Sequence, residues 1–321
     1  MACLSRRSFL ACLGASAAAS CAGGPPALVS PPRFFERVGK PLGLQIYTLG
    51  PDAGLDIDAT FAQVAQIGYR QIELPNLLGK TPAELAAAAQ RAGLEIASLH
   101  LPLLEASSPM GLTMGSDPAQ VADALGTLGA RWGVAPILLM PDNFAMGLGE
   151  SFGVAIGRAV AAVGVDHWKR SADLLNRKAS ALAPLGIKIG YHNHNLEFSP
   201  VGGTTGWDIL WQETDPGLVF FELDTGWIAT AGLDVVEILD GARGRVRLLH
   251  VKDVAEDNPT SFAISMNPAE VGYGALDWSR ILPAAERAGV EHYLVEQEPP
   301  FTIPRIDAAA KSFTFLDHLR A

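Results

Sequence analysis

Cysteine is almost missing from this sequence: Cys3, Cys12 and Cys21 are its three copies, all within the first 21 of 321 residues. An internal disulfide downstream of them is excluded, so core packing must hold the folded part together. Low-complexity tracts are also missing, and charge is sparse, at 18% of residues against 49% hydrophobic, an ordinary balance for a globular domain with a large core. Basic residues are the minority sign, 24 against 34 acidic. A polyanion such as DNA would be repelled, and no nucleic-acid partner is expected.

What is present first is a leader. Arg6 and Arg7 precede an apolar run from Phe9 to Ala19 that holds no acid and is too short to span a bilayer. Ser5-Arg6-Arg7-Ser8-Phe9-Leu10 fits the twin-arginine consensus, so residues 1–24 read as a signal peptide. Its translocase carries folded proteins, often with a metal or cofactor already inserted, to the periplasm or cell envelope. Ala18-Ala19-Ser20-Cys21 is a candidate lipobox, making lipidated Cys21 the one expected link to a membrane; ordinary cleavage at a small-residue site is the alternative. Removing residues 1–21 leaves 22 basic and 34 acidic residues. The Pro-rich stretch from Pro25 to Pro32 has no apolar periodicity, so residues 25–38 are expected as linker and 39–321 as the folded domain.

Beyond Gly39, short β-prone runs alternate with helical patterns. Ile67-Gly68-Tyr69, Ala92-Gly93-Leu94, Leu128-Gly129-Ala130, Leu185-Gly186-Ile187 and Ala288-Gly289-Val290 each read as a helix closed by glycine and followed by a strand. Thr81-Pro82-Ala83-Glu84 has the form of a capping box, and Asp117 and Asp277 read as further caps. The expected strands are Leu42–Tyr47, Gln71–Leu74, Leu94–His100, Ala135–Met140, Ile187–His194, Leu218–Asp224, Val246–Lys252 and His292–Gln297. Eight strand-helix units over this length predict an α/β fold, a single-domain TIM (β/α)₈ barrel. A doubly wound open sheet would need a glycine fingerprint after the first strand, and Tyr47-Thr48-Leu49-Gly50-Pro51 is not one.

Polar residues collect at the carboxyl ends of these strands, where a barrel assembles its site. Residues two apart share a strand face, giving the pairs His192/His194, Glu222/Asp224, His250/Lys252 and Glu296/Glu298. So many ionisable groups in one mouth must be paired, protonated or bound to a cation, and a divalent metal is the simplest answer. Imidazole with carboxylate and no thiolate suits one Mn²⁺, Zn²⁺, Co²⁺ or Fe²⁺ ion. Buried structural histidines are the plainer reading of His192 and His194; for Glu222 it is a salt bridge to Lys252, and for Asp253 a loop cap. Glu73 and His100 would reach across the mouth to substrate hydroxyls, as would Glu298, while Trp227, Trp207 and Phe198 would line its rim, with core packing the plainer reading of Trp207. Gly272-Tyr273-Gly274 is a weak signal for phosphate, and His167, His292 and His318 fall away from the mouth.

The strings Gly190-Tyr191-His192-Asn193-His194-Asn195-Leu196-Glu197-Phe198, Glu222-Leu223-Asp224-Thr225-Gly226-Trp227, Leu249-His250-Val251-Lys252-Asp253 and Val295-Glu296-Gln297-Glu298 resemble the xylose-isomerase-like TIM barrels of the sugar phosphate isomerase/epimerase group. That superfamily also holds type-2 AP endonucleases and inosose dehydratase. The resemblance covers about residues 40–320 and implies one divalent metal on Asp224, His250 and Glu296, with His192 or Glu197 from strand five. Many ketose epimerases carry a glutamate there, and their two metal-bound glutamates act as opposed bases. A histidine in that place fits elimination or one-base isomerisation better.

The expected function is a metal-dependent isomerase or epimerase acting on a sugar or keto-sugar, with Glu296 removing a proton next to the carbonyl and His194 or Lys252 handling the oxygen. The alternatives are a lyase or hydrolase of 3-keto-glycosides, a dehydratase, or a non-catalytic sugar-binding envelope protein. Oligomeric state is not legible.

Overall fold

A computed structural model describes residues 32–109 and 111–321; the segment expected as a signal peptide and Cys21 lie outside them. Eight short strands run parallel: β1 (Leu42–Gln45), β2 (Gln71–Leu74), β3 (Glu95–His100), β4 (Trp132–Ala135), β5 (Lys188–His192), β6 (Val219–Asp224), β7 (Val246–Val251) and β8 (His292–Val295). Their pairing closes in the order β1-β8-β7-β6-β5-β4-β3-β2, the expected barrel.

The punctuation seen in the sequence does set the joints. Thr81 and Glu84 form the reciprocal capping box that starts the helix Pro82–Ala92, and Asp117 and Asp277 cap two later helices. Gly93, Gly129, Gly186 and Gly289 take left-handed φ at helix ends, where a Cβ would be penalised.

Two expectations are corrected. The apolar run Ala135–Met140 is not β4, which lies three residues earlier at Trp132–Ala135. Pro136 has no N–H for the ladder, and the apolar residues after it pack as a loop, with Leu138 buried. The linker expected over 25–38 gives way at its end to a helix, Phe34–Val38. Phe34 and Phe35 are buried edge-on against Tyr293, which the proline-rich composition just before them concealed.

Inside the barrel a separate cluster of Ala97, Trp132, Val134, Phe220, Leu248 and Leu294 fills the channel. Trp132 meets Phe220 edge-to-face at 4.8 Å, and a Cβ at Gly190 would lie 2.3 Å from the Phe220 ring, so only glycine fits there. The channel is therefore plugged, leaving the polar carboxyl-end mouth for ligands.

Loops build the walls of that mouth. Asn195 Nδ2 donates to the carbonyls of Ser261 and Ala263 (2.8 and 2.7 Å), tying the loop after β5 to the long loop after β7. Asp253, buried just beyond β7, accepts from the backbone N–H groups of Val254, Gly272 and Leu276 and from the Trp278 indole. Its carboxylate thus takes the Gly272 N–H, and the Gly272-Tyr273-Gly274 segment is an anchored loop rather than a phosphate cradle.

Candidate active site

Strand β5 ends at His192 and the chain turns, so His194 sits in the following loop rather than on the strand. The turn is fixed by Asn193, whose Oδ1 accepts from Asp224 N (2.9 Å), and by Glu197, which accepts from Tyr191 Oη (2.5 Å) and His194 N (2.8 Å). Glu197 therefore locks the loop and is not among the clustered ligand atoms; His192 is the strand-five residue that faces the cluster.

Parallel register then sets the neighbours, with His192 opposite Glu222 and Asp224 opposite His250. Asp224 divides its two oxygens. Oδ1 caps the helix Thr225–Thr230 by accepting from Trp227 N (2.9 Å), while Oδ2 makes no well-oriented hydrogen bond although Lys252 Nζ lies 2.8 Å away. A Cβ at Gly226 would press on the Lys252 stem at 2.7 Å, so glycine at this helix start leaves room for the ammonium.

Two tiers of charge result, the deeper almost wholly buried and the outer opening through Glu296 and Glu298 onto a cavity. In the deeper one, Glu73 contacts His100 Nε2 (2.7 Å) and His250 Nε2 (2.8 Å), and Glu222 contacts His100 (3.2 Å) and His192 Nδ1 (3.1 Å). In the outer one, Glu296 meets His250 Nδ1 (2.8 Å) and Lys252 Nζ (2.7 Å), with Glu298 3.3 Å from the same ammonium. Lys252 thus pairs with Asp224, Glu296 and Glu298, and Glu222 pairs with histidines. This corrects the expected Glu222–Lys252 bridge, because the Lys252 stem leads outward past the deeper tier.

The charges explain the proton affinities. Burial alone would lower His100, but Glu73 and Glu222 overcome it and hold it at about 10. Burial raises Glu222 to about 7, with Glu73 adding to the effect. His194 goes the other way, to about 3, because burial and the Lys252 charge both disfavour its cation. Burial works against Glu296, yet Lys252 and His250 keep it well below the ordinary carboxylate range; Glu298 is raised, chiefly by burial.

One ligand atom each from His192, Asp224, His250 and Glu296 lie within 4.8 Å of one another, and His100, His192, Glu222 and His250 form a second such group. The first suits a cation better. It carries two carboxylates against one, and one of them, Glu296, lines with His192 a cavity of about 360 Å³, within the range of small-ligand sites, whereas Glu222 of the second group does not reach it. His250 also has the outer support of a metal-binding imidazole, its second nitrogen resting on Glu73.

The cavity is bounded by Tyr47, Asn76, His100, His194 and Glu298, and by Ile137, Phe152 and Ile264 from the long loops. Among the described residues its carboxylates are Glu296 and Glu298, both after β8, and its other ionisable side chains are Tyr47 and three histidines. His100 and Glu298 thus reach the cavity as expected. Glu73 does not; it is fully buried and props His100 and His250. Trp227 also stays out, its ring 5.3 Å from His194 and 4.9 Å from Lys252 Nζ, backing both. Trp207 and Phe198 pack on one another in the core, 5.4 Å apart. His167 and His292 bond to Leu139 O and Gln71, and His318 is exposed. Sequence reasoning missed Tyr47, Asn76, Phe152 and Ile264 as lining residues, because they sit in turns, loops and a helix start beyond the strand ends, where period-two alternation says nothing. The alternation His-Asn-His-Asn was a readable signal for Asn193 and Asn195 as loop ties.

The model of the xylose isomerase-like TIM barrel family matches residues 61–319. The chain belongs to that family. Among curated relatives of this xylose isomerase-like barrel, inosose dehydratase of Geobacillus thermodenitrificans is 31% identical over 152 residues, 43% of this chain and 50% of that protein. The chain thus spans half the length of that relative. A sugar phosphate isomerase/epimerase from Parabacteroides distasonis superposes with a TM-score of 0.68 at 25% identity, over 87% of this chain and 94% of that one. A structure of IOLI protein with a binding zinc atom gives 0.58 at 18% identity, over 86% and 96%, a likeness of fold.

Proposed function

We propose that this barrel is a divalent-metal-dependent enzyme that removes a proton next to the carbonyl of a keto-sugar and then expels the neighbouring hydroxyl, a dehydratase-type elimination. The supporting observation is the one-sided cavity: carboxylates from the β8 loop alone, facing His100, His192 and His194. No carboxylate stands across from them among the described lining residues, so the paired carboxylate bases of a symmetrical epimerisation are not supported there.

His192, Asp224, His250 and Glu296 would hold the metal. When bound, such an ion acts as a Lewis acid toward a carbonyl oxygen. Glu296, expected as the base, is engaged by both His250 and Lys252. Glu298 lies 3.3 Å from Lys252, also faces the Tyr47 hydroxyl and has no place in the ligand set, so it is the freer proton acceptor. It takes the proton from carbon, the C–O bond β to the carbonyl breaks as the C=C bond forms, and the same proton returned to the departing hydroxyl yields water. Lys252, held by three carboxylates, remains an ammonium and offsets their charge. His194, kept neutral, lines the cavity as an uncharged imidazole.

One-base isomerisation uses the same face, with the proton returned to the adjacent carbon. Keto-inositols, ketoses and 3-keto-glucosides incubated in D₂O separate the readings by NMR. Elimination gives an enone, isomerisation gives the isomeric sugar with its carbonyl moved by one carbon, and neither product with any metal leaves a sugar-binding protein and overturns the proposal.

We further propose that the protein acts in the cell envelope after twin-arginine export. Cell fractionation of the native chain beside an Arg6→Lys, Arg7→Lys variant tests this, and equal distribution of the two would contradict it.

A further inference from the structure

A second cavity, of about 440 Å³, adjoins the first: Tyr47, Pro75 and Asn76 line both. Its far wall holds Pro51, Leu78 and Arg305. Both volumes exceed the roughly 300 Å³ at which small-molecule sites begin, so a single ring at the metal ligands leaves the second space unfilled. Tyr47, the shared partition, keeps 45% of its surface exposed, and an aromatic side chain between two largely apolar-walled spaces can stack on the apolar face of a sugar ring.

Arg305 sets the chemistry of that space. It is the first residue of the helix Arg305–His318, its guanidinium lies 4.3 Å from the Phe301 ring centroid, and Nη1 donates to Thr48 O at 3.0 Å. These contacts fix its plane and leave it without an ion pair among the described residues, in a chain where acids outnumber bases by ten. A fixed, unneutralised guanidinium on a cavity wall recognises a carboxylate, and does so through paired N–H groups.

We infer that the substrate is a two-ring sugar, its reacting ring beside His192, Asp224, His250 and Glu296 and its second ring, bearing a carboxylate, lying on Tyr47 and reaching Arg305. This rests on the proposed reading of the first cavity as the reaction site. The same wall would select acidic glycosides over neutral ones.

Calorimetric titration of the protein as purified, with glucuronate, cellobiose and cellobiouronate, tests the subsite without requiring turnover. The acidic disaccharide should bind about 10- to 100-fold more tightly than cellobiose and than glucuronate, the value of one charge-assisted hydrogen-bond pair. Arg305→Ala should abolish the preference by bringing cellobiouronate to the affinity of cellobiose, and Arg305→Lys should restore part of it. Equal affinities for the three sugars, no measurable binding of either disaccharide, or an Arg305→Ala variant that keeps the preference would each overturn the subsite. Lack of turnover on keto-sugars, with the ranking intact, would instead sink the reaction reading and leave the subsite standing.

Discussion

Asp224 and Lys252 are both fully buried, and Oδ2 of the first lies 2.8 Å from Nζ of the second. An ammonium sealed inside a barrel is tolerated because Glu296 and Glu298 also surround it, and those carboxylates are tolerated because of it. Lys252→Met strands three acids around an apolar side chain. The metal-free variant should lose about 3–5 kcal/mol of stability, the usual cost of breaking a buried pair from one side. A divalent ion should return much of the loss by binding the folded state. Urea melts with chelator and with added metal check this, and wild-type stability in chelator would contradict it.

Glu298 and Glu296 differ in task although two residues apart. Glu298→Gln should reduce kcat by about 10²- to 10⁴-fold, the range of general acid–base catalysis, while metal content stays at the wild-type level. Glu296→Gln should lower metal content as well. An active Glu298→Gln enzyme would move the proton transfer elsewhere in the cavity.

Glu197 supplies a pH signature. Burial raises it from 4.5 to about 7, so between those values the folded state keeps a proton that the unfolded state has released. Its stabilising share is full below pH 4.5 and is lost as pH rises through about 7, with a slope approaching about 1.4 kcal/mol per pH unit. Glu197→Gln should therefore flatten the fall in stability between pH 5 and 8, read as the difference between the two proteins in denaturant melts. Identical slopes would contradict the assignment.

The barrel was legible because each joint carries its own chemistry: a capping box at Thr81, caps at Asp117 and Asp277, glycine closures at Gly93, Gly129, Gly186 and Gly289. The convergence of His192, Asp224, His250 and Glu296 could be anticipated because same-facing residues at strand ends meet in a closed barrel, while the choice of these four as candidate ligands came from the resemblance to xylose-isomerase-like barrels. Partner choice was not legible. Glu222 was expected on Lys252 and lies on histidines, since period-two alternation gives a face but not a depth. β4 was displaced because an apolar run reads alike as strand or buried loop, and only Pro136 distinguishes them.

The central claim is that His192, Asp224, His250 and Glu296 form a metal site, and metal content of the mature protein by mass spectrometry tests it most directly. About one equivalent of a divalent transition metal, lost in an Asp224→Ala, His250→Ala double variant purified identically, is the expected result. No metal in either protein, even after reconstitution, would contradict the account.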